Sequence, residues 1–228
     1  MKTLQQAAGL DTSYALRESA RCWHSRFHFH HHARCLRICY CEVMKHLIES
    51  LHEDHRNLSK LLRLLETNLL ALQSDNDPDY PLMVDIIEYI CSYPNAFHHP
   101  REDLLYQTAM ERDSSVREEI EPVLQQHAEL YKSTHRLLDS LNAVLNDTLV
   151  NKAQLKAQIH DFIDSQREHI MLEESKIFPH VERLLTSDDI NWLDEQHPPA
   201  TDPLFGEQVE KRFRQLYENI LDFSDIGK

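Results

Sequence analysis

The chain is poor in glycine. Only Gly9, Gly206 and Gly227 occur in 228 residues, and none lies between Met44 and Phe205. A turn-rich β fold of that length relies on glycine at its tight turns, so the gap points to long helices. Long apolar runs are missing as well: nothing approaches the ~20 consecutive residues of a membrane span. The N-terminus lacks the apolar core of a secretory signal. Basic excess is also absent, the net charge being −14, which argues against DNA, RNA or an anionic membrane as main partner. Together these absences lead to the expectation of a cytoplasmic protein with no nucleic-acid and no membrane partner. The length suits one domain with appendages and a sizeable core.

Histidine, by contrast, is abundant, with 16 copies. Five fall within His24–His32. Residues 1–43 also hold four of the five cysteines, Cys22, Cys35, Cys39 and Cys41, and carry six Lys/Arg against three Asp/Glu. Cys35-x3-Cys39-x-Cys41 with nearby histidines could bind a soft metal, but the spacing matches no zinc pattern. Residues 1–43 are therefore read as a poorly ordered Cys/His-rich extension.

From Met44 the pattern becomes regular. Leu47, Leu51, His55, Leu58, Leu62, Leu65, Leu69 and Leu72 step by three and four, the seam of a bundle helix, with His55 in a slot otherwise held by leucine. Asp75–Pro81 carries turn chemistry. A second helix shows Val84, Ile87, Ile90, Phe97, Leu105 and Met110, and its seam at 87, 90, 94, 98, 102 and 105 turns His98 and Glu102 inward. Pro94 and Pro100 predict a kink there. Ser114-Ser115 is expected to cap a third helix with seam Val116, Ile120, Val123, His127, Tyr131, Thr134, Leu138, Leu141 and Leu145, perturbed early by Pro122. The fourth follows Leu155, Ile159, Phe162, Gln166, His169, Glu173, Ile177 and Leu184, with a bend at Pro179. This predicts an all-α fold, an up-down-up-down four-helix bundle over residues 44–185. Residues 186–228 add a capped short helix containing Trp192, a turn at Asp202–Gly206 and an amphipathic helix. That last helix is expected to pack on the bundle or on the partner in a homodimer.

One phrase occurs twice, His98-x3-Glu102 and His169-x3-Glu173. Helix positions i and i+4 share a face with Cβ atoms roughly 5–6 Å apart, so each imidazole and carboxylate can aim at one point. Each phrase follows a lone seam histidine at a similar distance, His55 before the first and His127 before the second. A single seam histidine is more often a hydrogen-bonded core residue than a ligand. Four on four helices, with two buried carboxylates, are hard to stabilise without a metal. Structural zinc closes with four ligands, and calcium and magnesium prefer oxygen shells. Two transition ions sharing Glu102 and Glu173 would receive four protein ligands each, and an oxo or hydroxo bridge would leave one open position per ion. The candidate metal ligands are thus His55, His98, Glu102, His127, His169 and Glu173. Tyr131 is read as a buried supporting residue bonded to one of the glutamates, or as a direct participant. His99, His135, His160 and His180 are read as surface or supporting groups, and Glu168 and Glu174 as solvated.

These motifs, with Asp54-His55 and Gln126-His127, resemble the hemerythrin-like (HHE cation-binding) domain over about residues 44–185. The resemblance implies a bundle with a non-haem di-iron centre, His55, His98, His127 and His169 terminal, Glu102 and Glu173 bridging. Oxygen-carrying hemerythrins have a second histidine one turn on in the third helix, where this chain has Tyr131. The four-His, two-Glu set is nearer to iron-centre-repair and NO-responsive relatives, whose cysteine-bearing N-terminal module residues 1–43 do not match. The expected cofactor is two iron ions and the expected partner a diatomic ligand, O2 or NO, with binding of iron itself a variant. The alternatives are a di-iron oxidoreductase acting on NO or peroxide, an iron-centre repair protein, or a metal-free helical interaction module. Whether the protein is an enzyme stays open, because binding and reduction use the same ligands.

Overall fold

A computed structural model describes residues 29–74 and 76–226, with side chains from His46 to Phe223. Among the described residues every regular element is helical. The chain divides into two units, Met1–Cys39 and Tyr40–Lys228. The cysteines and histidines of residues 1–43 lie outside the described side chains, and the bundle belongs to the second unit.

Helix α1 spans Phe29–Gln73, so the helix expected from Met44 starts earlier. From Leu47 onward its predicted seam is buried throughout, and Leu61 and Leu64 widen it. Burying each such leucine is worth about 1.5–3 kcal/mol. Helix α2 is Tyr80–Ser92; Asp79 caps it by accepting from the Leu82 N–H at 2.9 Å, with Pro81 in the first turn. Then come α3 (His99–Arg112), α4 (Arg117–Leu145) and α5 (Lys152–Leu172), the last capped by Asn151. Short helices α6 (Phe178–Leu184) and α7 (Ser187–Gln196) precede α8 (Arg214–Ile226). Thr186 and Asp189 form the capping box of α7.

Two local expectations are corrected. Asp113, not the serine pair, caps the turn before α4, accepting from the Ser115 N–H at 2.9 Å while both serines sit inside a 3-10 turn. Pro122 lies within unbroken α4. The only carbonyl it deprives of a partner is that of exposed Glu118, which water can serve.

The kinks expected from the other prolines appear as π turns, Pro94–His98 between α2 and α3 and Glu173–Ile177 between α5 and α6. Each ends two residues before a proline, Pro100 in one case and Pro179 in the other. A proline ring clashes with the carbonyl four residues upstream, here Ala96 and Ser175, each the middle residue of its π turn. Widening the helix relieves that clash, and the bonds His99 N–H to Pro94 O and Phe178 N–H to Glu173 O close the wider loops.

The apolar core forms two clusters with a polar layer between them. Along α1, Leu51 belongs to the smaller cluster and Leu58 to the larger, with His55 between. The order reverses through α2 and α3, where Ile90 and Tyr93 precede His98 and Leu105 follows Glu102. It reverses again on α4, from Val123 past His127 to Leu137, and once more along α5 and the π turn after it, from Ile163 past His169 to Ile177. Helix α4 packs against both α2 and α5. The C-terminal segment closes the larger cluster with Phe213, Leu216 and Ile220. It is held by the Tyr89 hydroxyl, which donates to Asp202 at 2.8 Å, and by the edge-on contact of Phe213 with Tyr89 at 5.6 Å. Asp202 also accepts from the Leu204 and Phe205 N–H groups, and a Cβ at Gly206 would meet its carbonyl at 2.4 Å, so the predicted turn needs that glycine.

Candidate metal centre

All six predicted ligands meet in the polar layer, none more than 5% exposed. His98 Nε2 lies 3.2 Å from Glu102 and 3.2 Å from His55 Nε2. His169 Nε2 lies 3.2 Å from Glu173 and 3.0 Å from His127 Nε2. A seventh side chain joins them. His99, expected outside the cluster, is 5% exposed and stacks on His127 at 4.5 Å. The ligating atoms of His99, Glu102, His127 and His169 all lie within 4.8 Å of one another, as do those of His55, His98 and Glu102. Glu102 belongs to both groups. Glu173 also reaches both, with one oxygen 3.3 Å from His55 and the other 3.2 Å from His127.

The outer ring nitrogens fix the direction of the inner ones. His98 Nδ1 donates to Asp54 at 3.0 Å, His127 Nδ1 to Asp103 at 2.5 Å, His55 Nδ1 to Glu174 at 3.3 Å and His169 Nδ1 to the Gln126 carbonyl at 3.1 Å. Those oxygens only accept, so Nδ1 carries the proton and each neutral ring turns an Nε2 lone pair inward. Lone pairs facing at 3.0 and 3.2 Å repel unless a cation lies among them. Both Glu102 oxygens are fully buried with no hydrogen-bond partner among the described residues, since the His98 contact lacks hydrogen-bond geometry. Burying an unpaired carboxylate costs several kcal/mol. Imidazoles oriented by carboxylates, with carboxylate oxygens lacking any other partner, fit a bound transition metal.

With protons in place of a metal, the layer splits its charge unevenly. Burial alone would lower His55 and His127, but hydrogen bonds with Glu173, and with Glu174 and Asp103 respectively, hold both up to about 9. Burial lowers His98, His99 and His169, the last to about 4. Burial pushes Glu102 well above the carboxylate range, helped by the charge of Glu173. Burial works the same way on Glu173, yet the surrounding histidines, His169 first, hold it well below that range. The two glutamates are thus pushed in opposite directions, Glu102 toward its protonated form and Glu173 toward its ionised one.

Tyr131 is not a buried supporting residue. It is 52% exposed and lies against His135, because the α4 seam steps from His127 to Leu130 and Thr134. The tyrosine that serves the site is Tyr106, fully buried, whose hydroxyl donates to Glu173 at 2.7 Å. It sits four residues after Glu102, on the same helix face, a spacing visible in the sequence. Glu174 is not merely solvated: its carboxylate holds both His52 and His55, and the His55 bond draws it down to about 2. Phe97 is 43% exposed and leaves the seam, while Gln166 is fully buried on it.

A helical bundle whose core is crossed by a buried His/Glu layer defines a metal-binding class of protein. The model of the hemerythrin HHE cation binding domain matches residues 46–181, and the chain belongs to that family. No curated relative and no solved structure matches the chain.

Proposed function

We propose that these seven side chains hold two iron ions, with Glu102 and Glu173 shared between them together with an oxo or hydroxo bridge, and that the protein binds O2 or NO there. The observation that carries the reading is the sharing of Glu102 between a group with three imidazoles and a group with two. His99, His127 and His169 crowd one position and only His55 and His98 serve the other. The expectation of one open position per ion is thereby replaced by a single open position on the His55–His98 side. Bound iron would supply that position and a change of oxidation state. The chain's own contribution is to orient four of the five imidazoles through Asp54, Asp103, Gln126 and Glu174, and to exclude water with two apolar clusters.

Metal analysis of protein purified aerobically from iron-supplied cells tests the reading. Two irons per chain are expected, and fewer than about one transition ion per chain would overturn it, since an assembled site of this kind retains its metal. Addition of NO or peroxide separates binding from catalysis: stoichiometric uptake is expected, and sustained turnover would make the protein an oxidoreductase instead.

A further inference from the structure

The repeated phrase is longer than its His-x3-Glu core. Asn95-x2-His98-x3-Glu102 and Gln166-x2-His169-x3-Glu173 both place a carboxamide three residues before the histidine. In regular α5 three residues are about one turn, so Gln166 and His169 are neighbours on one face; through the wider π turn the residue one turn after Asn95 is His99. Asn95 is 8% exposed and Gln166 is fully buried. None of their four side-chain polar atoms has a hydrogen-bond partner among the described residues. Native proteins seldom leave buried amides in that condition without a purpose.

Both amides lie on the same side of the polar layer. Ile90 and Tyr93 precede Asn95, Phe162 and Ile163 precede Gln166, and all four belong to the larger apolar cluster. The next-turn residues on the other two helices, Leu58 on α1 and Leu130 on α4, are buried and apolar, and the Thr134 hydroxyl is already given to the Leu130 carbonyl at 2.7 Å. On the opposite side Tyr106 is the polar group, and its hydroxyl is already given to Glu173. Among the described residues, the buried carboxamides without a partner therefore both lie on one face of the centre.

We infer that Gln166 and Asn95 are the residues that face the exogenous ligand, donating amide N–H bonds to its acceptor atoms. Amide donors of this kind select small anions and diatomics that carry negative charge over uncharged, apolar ones, which makes these two residues specificity determinants. The inference rests on the metal-centre reading proposed for the site.

The test uses the full chain, iron-loaded and oxidised, with azide as the probe, read by visible titration and by the infrared stretch of the bound azide. Gln166→Leu and Asn95→Leu should keep the iron content of the wild type. Each should weaken azide about tenfold and shift the stretch, the loss expected for one hydrogen bond to a charged ligand. Gln166→Glu, which keeps the size but sets an anion against the ligand, should weaken it further. Unchanged azide affinity and stretch in both leucine variants at full iron would overturn the inference. An iron-free wild type would instead sink the metal reading, and it would show before any azide is added. Melting supplies a readout free of iron: in the metal-free protein Gln166→Leu should raise Tm by about 2–4 °C, since it removes an unpaired buried amide. A fall in Tm would show the amide to be structurally paired and overturn the assignment.

Discussion

In the first His-x3-Glu phrase a proline follows the histidine by two residues, and in the second by ten. That offset places the first π turn on the histidine itself, and the consecutive His98 and His99 are both buried in the cluster. The second π turn opens only at Glu173, so His169 stays in regular helix and its neighbour Ile170 packs in the apolar cluster. The two carboxylates diverge in the same way. Among the described residues Glu102 has no hydrogen-bond partner, whereas Glu173 accepts from Tyr106 and contacts His55, His127 and His169. A repeated motif thus becomes two unlike half-sites through the position of a proline and the company each glutamate keeps.

The sharpest way to break this comparison is to neutralise each glutamate in turn. In chelator-treated protein, Glu173→Gln should cost about 3 kcal/mol in urea unfolding, because it removes the buried counter-charge that the His55 and His127 cations share and leaves them only the half-exposed Glu174 and Asp103. Glu102→Gln should cost about 1 kcal/mol or less, since burial already favours the neutral form of Glu102. Equal costs would show that the half-sites are equivalent after all.

The same split predicts a bell-shaped pH profile for metal-free stability. His55 and His127 are raised to about 9, so their contribution is full below the ordinary histidine value of 6.5 and is lost as pH climbs through 9. His169 is depressed to about 4, and stability falls as acid forces a charge onto it between 6.5 and 4. The maximum should lie near pH 6.5. Bound metal, which takes the place of the protons, should flatten the alkaline flank; a flank that persists in the loaded protein would contradict this.

A smaller effect separates the residues that follow each histidine. His99→Leu should weaken one of the two ions about 10–100-fold while the other stays, read by metal retention against a chelator. Ile170→Ala should lower stability yet leave both ions in place. Loss of metal from the alanine variant would undo the distinction. Smallest of all is the contrast between tyrosines. Tyr106→Phe should cost about 1–2 kcal/mol through the lost bond to Glu173. Tyr131→Phe should stay within about 0.5 kcal/mol and leave the visible spectrum unchanged.

Most of the bundle was legible because leucine, isoleucine and the buried histidines share one 3.6-residue seam, which needs no tertiary information to read. His55, His98, His127, His169, Glu102 and Glu173 lie on it and converge. His99 was hidden because a π turn changes the count of residues per turn, and a fixed period assigns two consecutive histidines to different faces. Its cause, Pro100, was in plain view, but a proline signals a disturbance without saying whether the helix breaks, bends or widens. Tyr131 misled for a related reason: steps of three and four are interchangeable on paper, and α4 takes three after His127 where four was assumed. Asp103 and Glu174 were overlooked as neighbours of ligands, although a carboxylate beside a ligand position is well placed to orient an imidazole from another helix.

The polar layer between the two apolar clusters has a consequence for how the molecule comes apart. Both α1 and α4 run through the two clusters, yet side-chain packing that resists opening stops on either side of the histidines. Without metal, backbone amides near Leu65 and Leu141 should exchange with solvent on one timescale, and those near Leu51 and Val123 on another. Metal ties the two ends into one cooperative unit, and the two timescales should merge. Loading could then be followed by the number of protected blocks alone, with no optical signal from the centre.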